Sequence, residues 1–460
     1  MPRERISVDE AWRILFEEHP IAERTRGEGV FHIGAAELNR HHEARLMAKF
    51  DTSAVLPAPL KERGLSILPV GRGRYALGRF NSYFPVPAWS GAPRPLPPAR
   101  ELQTLRPENL YSEAAAVLYA WNSGILDEVC GGRRPALTVN GRMSSGSFRF
   151  RVGILPEAPC GGPGPKAAGG RAGGEGRARR GGAAPEGPER GGLPQVEIEV
   201  ANAQVEIDAG FEAEDAFYVL EAKNVMAGEL MTRQLYYPWR LWSERIKKPV
   251  VPVFMVFSND VFSFYVLAFD DPDRYDSVRL ERAVSFRLAS GIPLAELDAL
   301  SRLGVSEPPS GVPFPQADSL ERVVDLLGVL RCGGLAPDEA TLRYGFDRRQ
   351  TSYYLSACAW LGLAARSGGP GGPWSLTAAG AGAMSLPPEG KRKALAVAVL
   401  GRPVFNEAWR LSLDGGGVPE AARVAESLVE GSPGMARSTA LRRARTVRSW
   451  IAAILGWTSA

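Results

Sequence analysis

The chain has 460 residues, of which 45% are apolar and 23% carry a charge. These proportions exclude a fibre and a fully disordered chain, and the length predicts two or three domains. The formal net charge of +4 is small for this length. Any affinity for a polyanion must therefore come from local basic patches and not from the whole surface.

Targeting and redox features constrain the environment of the protein. The N-terminus, MPRERISVDEAWRILFEEHP, is charged without an apolar signal region, and no later stretch offers about eighteen uninterrupted apolar residues. We therefore expect a cytoplasmic protein with no membrane partner. The cysteines are far apart and form no CxxC pair, which argues against a zinc knuckle and a disulfide framework.

The first region, residues 1–100, mixes helical and strand patterns. Ser7 precedes the amphipathic segment VDEAWRILFEE and is expected to cap a helix. The segment GLSILPVGRGRYALGRF predicts two strands around a Gly-Arg-Gly turn. These patterns predict an N-terminal α+β unit. A proline-rich surface connection is expected to follow it.

The second region, residues 101–305, begins with a predicted helix capped by Ser112. Residues 157–194 contain almost no apolar side chains, so we predict a disordered insert between two strands. Its excess of basic residues is compatible with DNA contact or with a low-complexity expansion. No function is assigned to it.

The segments QVEIEVANAQVEIDAGF and DAFYVLEAKN carry the candidate chemistry of this region. Both have strand patterns, and a hairpin between them would bring Asp208 close to Glu221. Glu221 and Lys223 are two residues apart and therefore share one face of their strand. A helix in AGELMTRQLYYPWRLWSERI and two apolar strands in PVVPVFMVFS and VFSFYVLAF follow, which predicts a mixed sheet with a packed helix.

Two carboxylates and a lysine in this pattern suit phosphodiester hydrolysis. That reaction is helped by a Mg²⁺ ion, which offsets the phosphate charge, lowers the pKa of water and prefers hard oxygen ligands. Asp208, Glu221 and the carbonyl of Ala222 would supply such oxygens, and Lys223 would lie beside the attacking water. The alternative is a set of solvated strand positions or surface ion pairs. The apolar neighbours on the strand argue against it, because unpaired charges are costly there.

The VEIDAGF and LEAKN strings resemble the PD-(D/E)xK nuclease superfamily, and more closely its type II restriction endonucleases. Ile207 stands where the name of the superfamily has proline, a variation that leaves the metal-binding roles unaltered. The resemblance implies an α+β or mixed α/β fold with a restriction-endonuclease-like core, in which a mixed central sheet is flanked by helices. It also implies Mg²⁺ as cofactor, with Mn²⁺ able to substitute, and double-stranded DNA as substrate.

The resemblance implies two further catalytic residues. Restriction enzymes of this kind often have a glutamate on a helix before the sheet, and Glu113 occupies that position. Its alternative is a capping-box or helix-dipole glutamate. Gln234 resembles the glutamine found beyond the catalytic lysine in some members, and the alternative is an ordinary helix glutamine.

Polar residues outside the core are candidate DNA contacts. The segment GRMSSGSFRF, residues 141–150, resembles the strand before the catalytic aspartate, or alternatively forms a tight polar turn into a strand. Its candidates for phosphate or base contacts are Arg142, Ser144, Ser145 and Ser147. The N-terminal block more loosely resembles the opening region of bacterial restriction enzymes. Its candidate patch consists of Arg45, Lys49, Arg72, Arg74 and Arg79.

The third region, residues 316–460, has the order of a winged helix-turn-helix: three helical segments, the link Tyr344-Gly345-Phe346 before the third, and a β-like WSLTAAGAGAM. The third helix would read bases in the major groove with its first polar residues, Arg348, Arg349, Gln350 and Ser352. The alternative is a protein–protein module. The last helix carries Arg442, Arg443 and Arg445, which suit phosphate contacts or a solvated basic face.

These patterns together predict a type II restriction endonuclease, which cuts specific sites in double-stranded DNA as a homodimer or as a monomer that nicks sequentially. A cognate DNA methyltransferase would be its functional partner. The alternatives are a repair or recombination nuclease of low sequence specificity and a winged-helix regulator with an inactive nuclease fold. No GxxxxGK[ST] motif occurs, so ATP-driven translocation is not expected without a partner subunit.

Overall fold

The computed structural model describes residues 6–87, 91–96, 102–157, 193–288, 290–344, 348–369, 371–431 and 434–459. Over these ranges the fold belongs to the α+β class and combines mixed sheets with many helices. The insert predicted at residues 157–194 lies outside the described residues, apart from its ends. So do Gly345 and Phe346 of the predicted link.

The N-terminal part consists of short helices and strands. Its helices are α1 (Val8–Glu18), α2 (Ile21–Gly27), α3 (Ala35–Leu38), α4 (Ala44–Ala48) and α5 (Ala58–Lys61). Its strands are β1 (Val30–Gly34), β2 (Ser66–Gly71), β3 (Arg74–Gly78), β4 (Tyr83–Pro85) and β5 (Arg94–Pro95). The predicted cap of α1 is confirmed, because the Ser7 Oγ accepts the Glu10 N–H at 3.2 Å.

The middle part contains most of the β structure. Its helices are α6 (Glu113–Asn122), α7 (Ile125–Val129), α8 (Arg233–Ser243) and α9 (Leu294–Ser301). Its longer strands are β6 (Ala136–Ser144), β7 (Ser147–Gly153), β8 (Gln195–Ala201), β9 (Gln204–Glu212), β10 (Phe217–Lys223), β12 (Val250–Ser258), β13 (Val261–Phe269) and β14 (Val278–Arg287). Two short strands, β11 (Glu229–Met231) and β15 (Ile292–Pro293), complete it.

Seven strands form a mixed sheet in the order β5-β14-β13-β12-β10-β9-β6. The β9–β10 hairpin is antiparallel as predicted, whereas β10 and β12 run parallel, because α8 crosses over between them. The α8 residues pack on one face of this sheet together with Val219, and the α6 residues pack on the other face together with Leu220. The sheet is therefore buried on both faces.

A second sheet, β1-β3-β2-β8-β7, joins N-terminal strands to strands of the middle part. The chain passes from one sheet to the other between β6 and β7 and again between β8 and β9. At this bend the Ser145 N–H donates to the Ala203 carbonyl at 2.9 Å, and the Ser145 Oγ accepts the Ala203 N–H at 3.0 Å. The boundary predicted at residue 100 therefore does not separate two sheets.

Helix α8 begins six residues later than the sequence pattern predicts. The segment Glu229–Met231 forms strand β11 and pairs with β4 of the N-terminal part. The Glu229 carboxylate also accepts hydrogen bonds from the Ser53 N–H and, at 3.0 Å, from the Ser53 Oγ. Long-range pairing thus overrides the local helical preference of these residues.

The C-terminal part is mostly helical. Its helices are α10 (Leu320–Arg331), α11 (Pro337–Tyr344), α12 (Arg348–Trp360), α13 (Ala378–Ser385), α14 (Pro388–Leu400), α15 (Pro403–Gly415), α16 (Ala421–Glu430) and α17 (Arg437–Leu455). Strands β16 (Ala364–Arg366) and β17 (Trp374–Leu376) form a small antiparallel hairpin after α12, and β18 (Thr458–Ser459) pairs with β15. The three predicted helices are thereby confirmed, but the predicted β-like segment WSLTAAGAGAM is a strand only over Trp374–Leu376, because Thr377 caps helix α13 by accepting the Gly380 N–H at 3.1 Å. A single core that includes Trp409 and Trp450 joins these helices to the later ones.

A buried aspartate joins the C-terminal part to the seven-stranded sheet. Asp325 on α10 accepts the Met226 N–H at 2.6 Å and the Ser258 Oγ at 2.8 Å. Burial raises the pKa of this carboxyl from its usual 3.8 to about 6, against the opposing effect of these hydrogen bonds. At a pH between these two pKa values, Asp325 is therefore protonated in the folded chain and ionised in the unfolded chain.

The Asp325→Asn variant is expected to lose this pH dependence. The folded-state pKa is raised, so the stabilising contribution of Asp325 is fully present below about pH 4 and is lost as the pH rises through about 6. When the pH is raised from 4 to 7, the free energy of unfolding of the variant should therefore increase by about 3 kcal/mol relative to that of the wild type. Urea titrations at both pH values measure this shift. The exposed Asp414→Asn change is the control, and an equal shift in both variants would contradict the assignment.

Two observations concern the environment of the chain. Within the described ranges, no helix is both long enough and apolar enough to cross a bilayer. Of the cysteines, Cys130, Cys332 and Cys358 are described, and all three are free thiols.

Candidate functional site

The strands β9 and β10 separate at Asp208, and this fork is the centre of the candidate site. Their ladder ends at the pair Leu220 and Ala209. On the other side of β9, a β-bulge places both Asp208 and Ala209 opposite Asn140 of β6. Bulges of this kind redirect a side chain next to functional sites. Here the Asp208 Oδ2 accepts the Ala222 N–H at 2.8 Å, and the Asn140 Nδ2 donates to the Asp208 carbonyl at 2.6 Å.

Glu221 is the buried member of the site, with 5% of its surface exposed. Its Oε1 accepts a hydrogen bond from the Lys223 Nζ at 2.8 Å, which confirms that the two side chains share a face of β10. The same oxygen accepts the Gln234 Nε2 from the first turn of α8. The structure therefore brings three of the residues singled out in the sequence into direct contact.

Glu113 approaches the site from the opposite helix. It is the first residue of α6, and its Oε1 lies 3.7 Å from the Lys223 Nζ. The predicted cap Ser112 is confirmed, because its Oγ accepts the Ala115 N–H at 3.1 Å. The third helical position is Ala115, so Glu113 is not the glutamate of a capping box. Its charge still lies in the first turn, where the helix dipole favours it.

The carboxyl groups of the site are held in an unusual electrostatic state. Burial raises the pKa of Glu221 to about 8, and the charge of Asp208 adds to the increase, while Lys223 opposes it. Burial likewise raises the pKa values of Asp208 and Glu113. Burial alone would lower the pKa of Lys223, but the surrounding carboxylates raise it above its usual value. The site therefore concentrates negative charge in a poorly solvated place, an arrangement common at functional sites.

The residues at the fork fit a divalent cation. Asp208 and Glu221 are electrostatically coupled, because the charge of Asp208 adds to the effect of burial in raising the pKa of Glu221. The Gln234 Oε1 is buried beside them without a hydrogen-bond partner among the described residues. A hard cation would satisfy oxygens of this kind. Over the described ranges, no group of three or more His, Cys, Asp or Glu side chains has metal-binding geometry.

A cavity of about 1130 Å³ opens beside the site and is lined by all three parts of the chain. The N-terminal part contributes Asp51, whose negative charge raises the pKa values of Lys223 and Glu113. The middle part contributes Lys223 and Gln234, and the C-terminal part contributes Gln350 of α12. The first turn of the predicted recognition helix therefore borders the same space as the candidate active site.

The polar residues predicted from segment 141–150 have different environments. Arg142 is exposed, and its Nε lies 3.1 Å from the Glu206 Oε1 on the neighbouring strand. Ser144 and Ser147 are also exposed, and the Ser144 Oγ lies 3.3 Å from the Asn202 Oδ1. Ser145 is buried and stabilises the bend between the two sheets. Its hydroxyl is thus not accessible for a DNA contact, in contrast to the prediction.

The basic residues of the C-terminal part are only partly available. Arg348 forms an ion pair with Asp338 at 3.3 Å, and the Arg349 Nε donates to the Tyr353 hydroxyl at 2.6 Å. Gln350 and Ser352 are exposed on the same helix. On α17, Arg442 and Arg445 are exposed, whereas the Arg443 guanidinium lies 5.2 Å from the centre of the Phe314 ring. Arg443 therefore has a packing role.

The proposed N-terminal patch is divided in space. The Arg79 Nη1 lies 2.8 Å from the Glu157 Oε1, which partly neutralises it. Burial lowers the pKa of Lys49, and the charges of Arg233 on α8 and of Arg45 lower it further, so Lys49 is within electrostatic range of both arginines. Sequence analysis did not single out Arg233, Asn140 or Asp51. Their positions depend on contacts between segments far apart in the chain, for which a single sequence carries no local signal.

Three family models match separate parts of the chain, and each is described as a domain of unknown function. They cover residues 9–77 (DUF6996), residues 78–158 together with 188–287 (DUF6997), and residues 322–459 (DUF7226). Asp208, Glu221 and Lys223 lie within the second match. No curated protein matches the chain, and no solved structure matches it.

Proposed function

We propose that the protein is a type II restriction endonuclease of the PD-(D/E)xK superfamily that hydrolyses specific sites in double-stranded DNA with Mg²⁺. The observation that carries this proposal is the fork between β9 and β10. There Asp208 binds the Ala222 N–H, and Glu221 is in contact with Lys223 and Gln234. The mixed sheet with helices on both faces also supports the proposal.

Each residue of the fork has a defined part in the proposed reaction. The carboxylates of Asp208 and Glu221, with the carbonyl of Ala222, would hold Mg²⁺. When bound, the ion offsets phosphate charge and makes a neighbouring water more acidic. The Lys223 ammonium would orient the attacking water and stabilise charge on the phosphate. Gln234 would keep the Glu221 carboxylate in place through its hydrogen bond.

The shared cavity supports a nuclease that recognises sequence over one that cuts indiscriminately. Gln350 lies in the first turn of α12 and lines the same cavity as Lys223. Glutamine can bond the adenine edge in the major groove, and such contacts give base specificity. In this proposal the homodimer and the cognate methyltransferase are the expected partners.

Incubation of the purified protein with unmethylated phage DNA and Mg²⁺ tests the proposed function. We expect discrete fragments on a gel, and sequenced fragment ends that share one short motif. Mn²⁺ should replace Mg²⁺, and EDTA should abolish cutting. A smear of fragments would favour the repair nuclease. Intact DNA with every metal tried would favour a DNA-binding regulator with an inactive nuclease fold.

A further inference from the structure

Arg233 is a cation beside the candidate site that has no anionic partner among the residues that the structure describes. It is the first residue of α8, directly before Gln234, which contacts Glu221. Its Nη2 lies 3.6 Å from the Met231 Sδ, and its Nε is buried with no hydrogen-bond partner in the described part of the chain. Among the described residues, no carboxylate forms an ion pair with this guanidinium. Because buried donors without acceptors are costly, these N–H groups are suited to a ligand.

Two more cations lie at the end of α4, shortly before Asp51, which lines the cavity beside the fork. Lys49 follows this helix and Arg45 belongs to it, and both are exposed. Burial lowers the pKa of Lys49, and the positive charges of Arg233 and Arg45 lower it further. The negative charges of Glu206 and Asp51 act in the opposite direction. Met47 of α4 and Met231 of β11 are buried in one core cluster, so α4 and the segment before Arg233 pack into the same hydrophobic core. Mutual repulsion of three cations is relieved when an anion binds among them.

These cations border the acidic fork. Glu206 lies two residues before Asp208 on β9, and its negative charge also acts on Lys49. Its carboxylate is paired with Arg142 at 3.1 Å. This ion pair partly neutralises the charge of Glu206. Glu206 therefore does not fully offset the positive charges of α4 and α8 next to the fork.

We propose that Arg233, together with Lys49 and Arg45, binds a backbone phosphate of the DNA strand that enters the candidate site, next to the phosphate to be hydrolysed. This inference rests on the proposed function. A guanidinium offers paired N–H donors that match phosphate oxygens, and lysine adds a compact positive charge. The contact would position the strand in the site and would be independent of the base sequence.

The salt dependence of DNA binding tests this inference without any cleavage. A fluorescent 30-base-pair duplex is titrated with the full chain in EDTA at several KCl concentrations, and anisotropy gives the Kd. Each phosphate contact contributes about 0.9 to the slope of log Kd against log salt. We expect Arg233→Gln to reduce the slope by about 1 and to weaken binding about tenfold at low salt. Lys49→Gln, an exposed position, should reduce the slope in the same way.

Arg245→Gln is the matched control, because Arg245 is exposed at the opposite end of α8 and stacks on Trp242 at 5.7 Å. Its slope should equal that of the wild type, and Arg233→Lys should keep most of the wild-type slope. Unchanged slopes in both Arg233→Gln and Lys49→Gln, with normal binding by the wild type, would overturn the phosphate site alone. Failure of the wild type to bind any duplex would overturn the proposed function together with it.

Discussion

Asp208→Asn is expected to lower the rate of DNA cleavage by about a thousandfold at any Mg²⁺ concentration. The change removes one of two carboxylate charges at the fork, and the charge stabilisation from a bound metal is worth several kcal/mol. At about 1.4 kcal/mol for each factor of ten, this loss corresponds to roughly three orders of magnitude. Cleavage of labelled duplex over a time course measures the effect. Lys223→Met should produce a loss of similar size.

The thermal stability of Asp208→Asn shows whether its loss of cleavage results from misfolding. Asparagine keeps an oxygen that can accept the Ala222 N–H, and it removes the repulsion that helps to raise the pKa of Glu221. Without added metal, the Tm of the variant should therefore equal or exceed that of the wild type. Asp215→Asn, an exposed change in the same hairpin, is the control and should cut at the wild-type rate. A variant that unfolds early, or a control that loses activity, would contradict the assignment.

Asp260→Asn is expected to cause a large loss of stability although it lies outside the site. Asp260 lies in the turn between β12 and β13, is 3% exposed, and bonds the Lys391 Nζ of α14 at 2.5 Å. Its other carboxylate oxygen lies 3.9 Å from the Arg392 Nε. Loss of the charge removes the counterion of the buried Arg392 and of the partly buried Lys391, at a cost of about 3 kcal/mol. For a part of the chain of roughly 150 to 250 residues that unfolds cooperatively, the Tm should fall by about 6 to 12 °C, as measured by calorimetry.

Two further variants make this expectation specific. Asp270→Asn changes an exposed carboxylate at the other end of β13, where its partner Arg279 is also exposed, and should alter stability by less than about 0.5 kcal/mol. The double variant Asp260→Asn with Lys391→Met should be more stable than the sum of the two single changes predicts. Additive effects in this cycle would show that the ion pair does not join the two parts of the chain.

Elements with strong local patterns could be predicted from the sequence. The cap of α1 at Ser7, the β2–β3 hairpin and the β9–β10 hairpin all follow from turn residues, capping residues and periodicity within one segment. Strand β11 could not be predicted, because its partner β4 lies far away in the chain. The role of Ser145 was also hidden, since a polar turn on the surface and a buried bend between two sheets have the same local pattern.

The sequence by itself determined which residues could form the acidic fork, because Asp208, Glu221, Lys223 and Gln234 lie close together in the chain on adjacent elements with clear patterns. Only the tertiary structure decided what surrounds them. The bulge at Asn140, the cations Lys49 and Arg233 and the cavity lined by Gln350 all depend on packing between distant segments. Periodicity reports which face of an element is buried, but it carries no information about which other element covers that face.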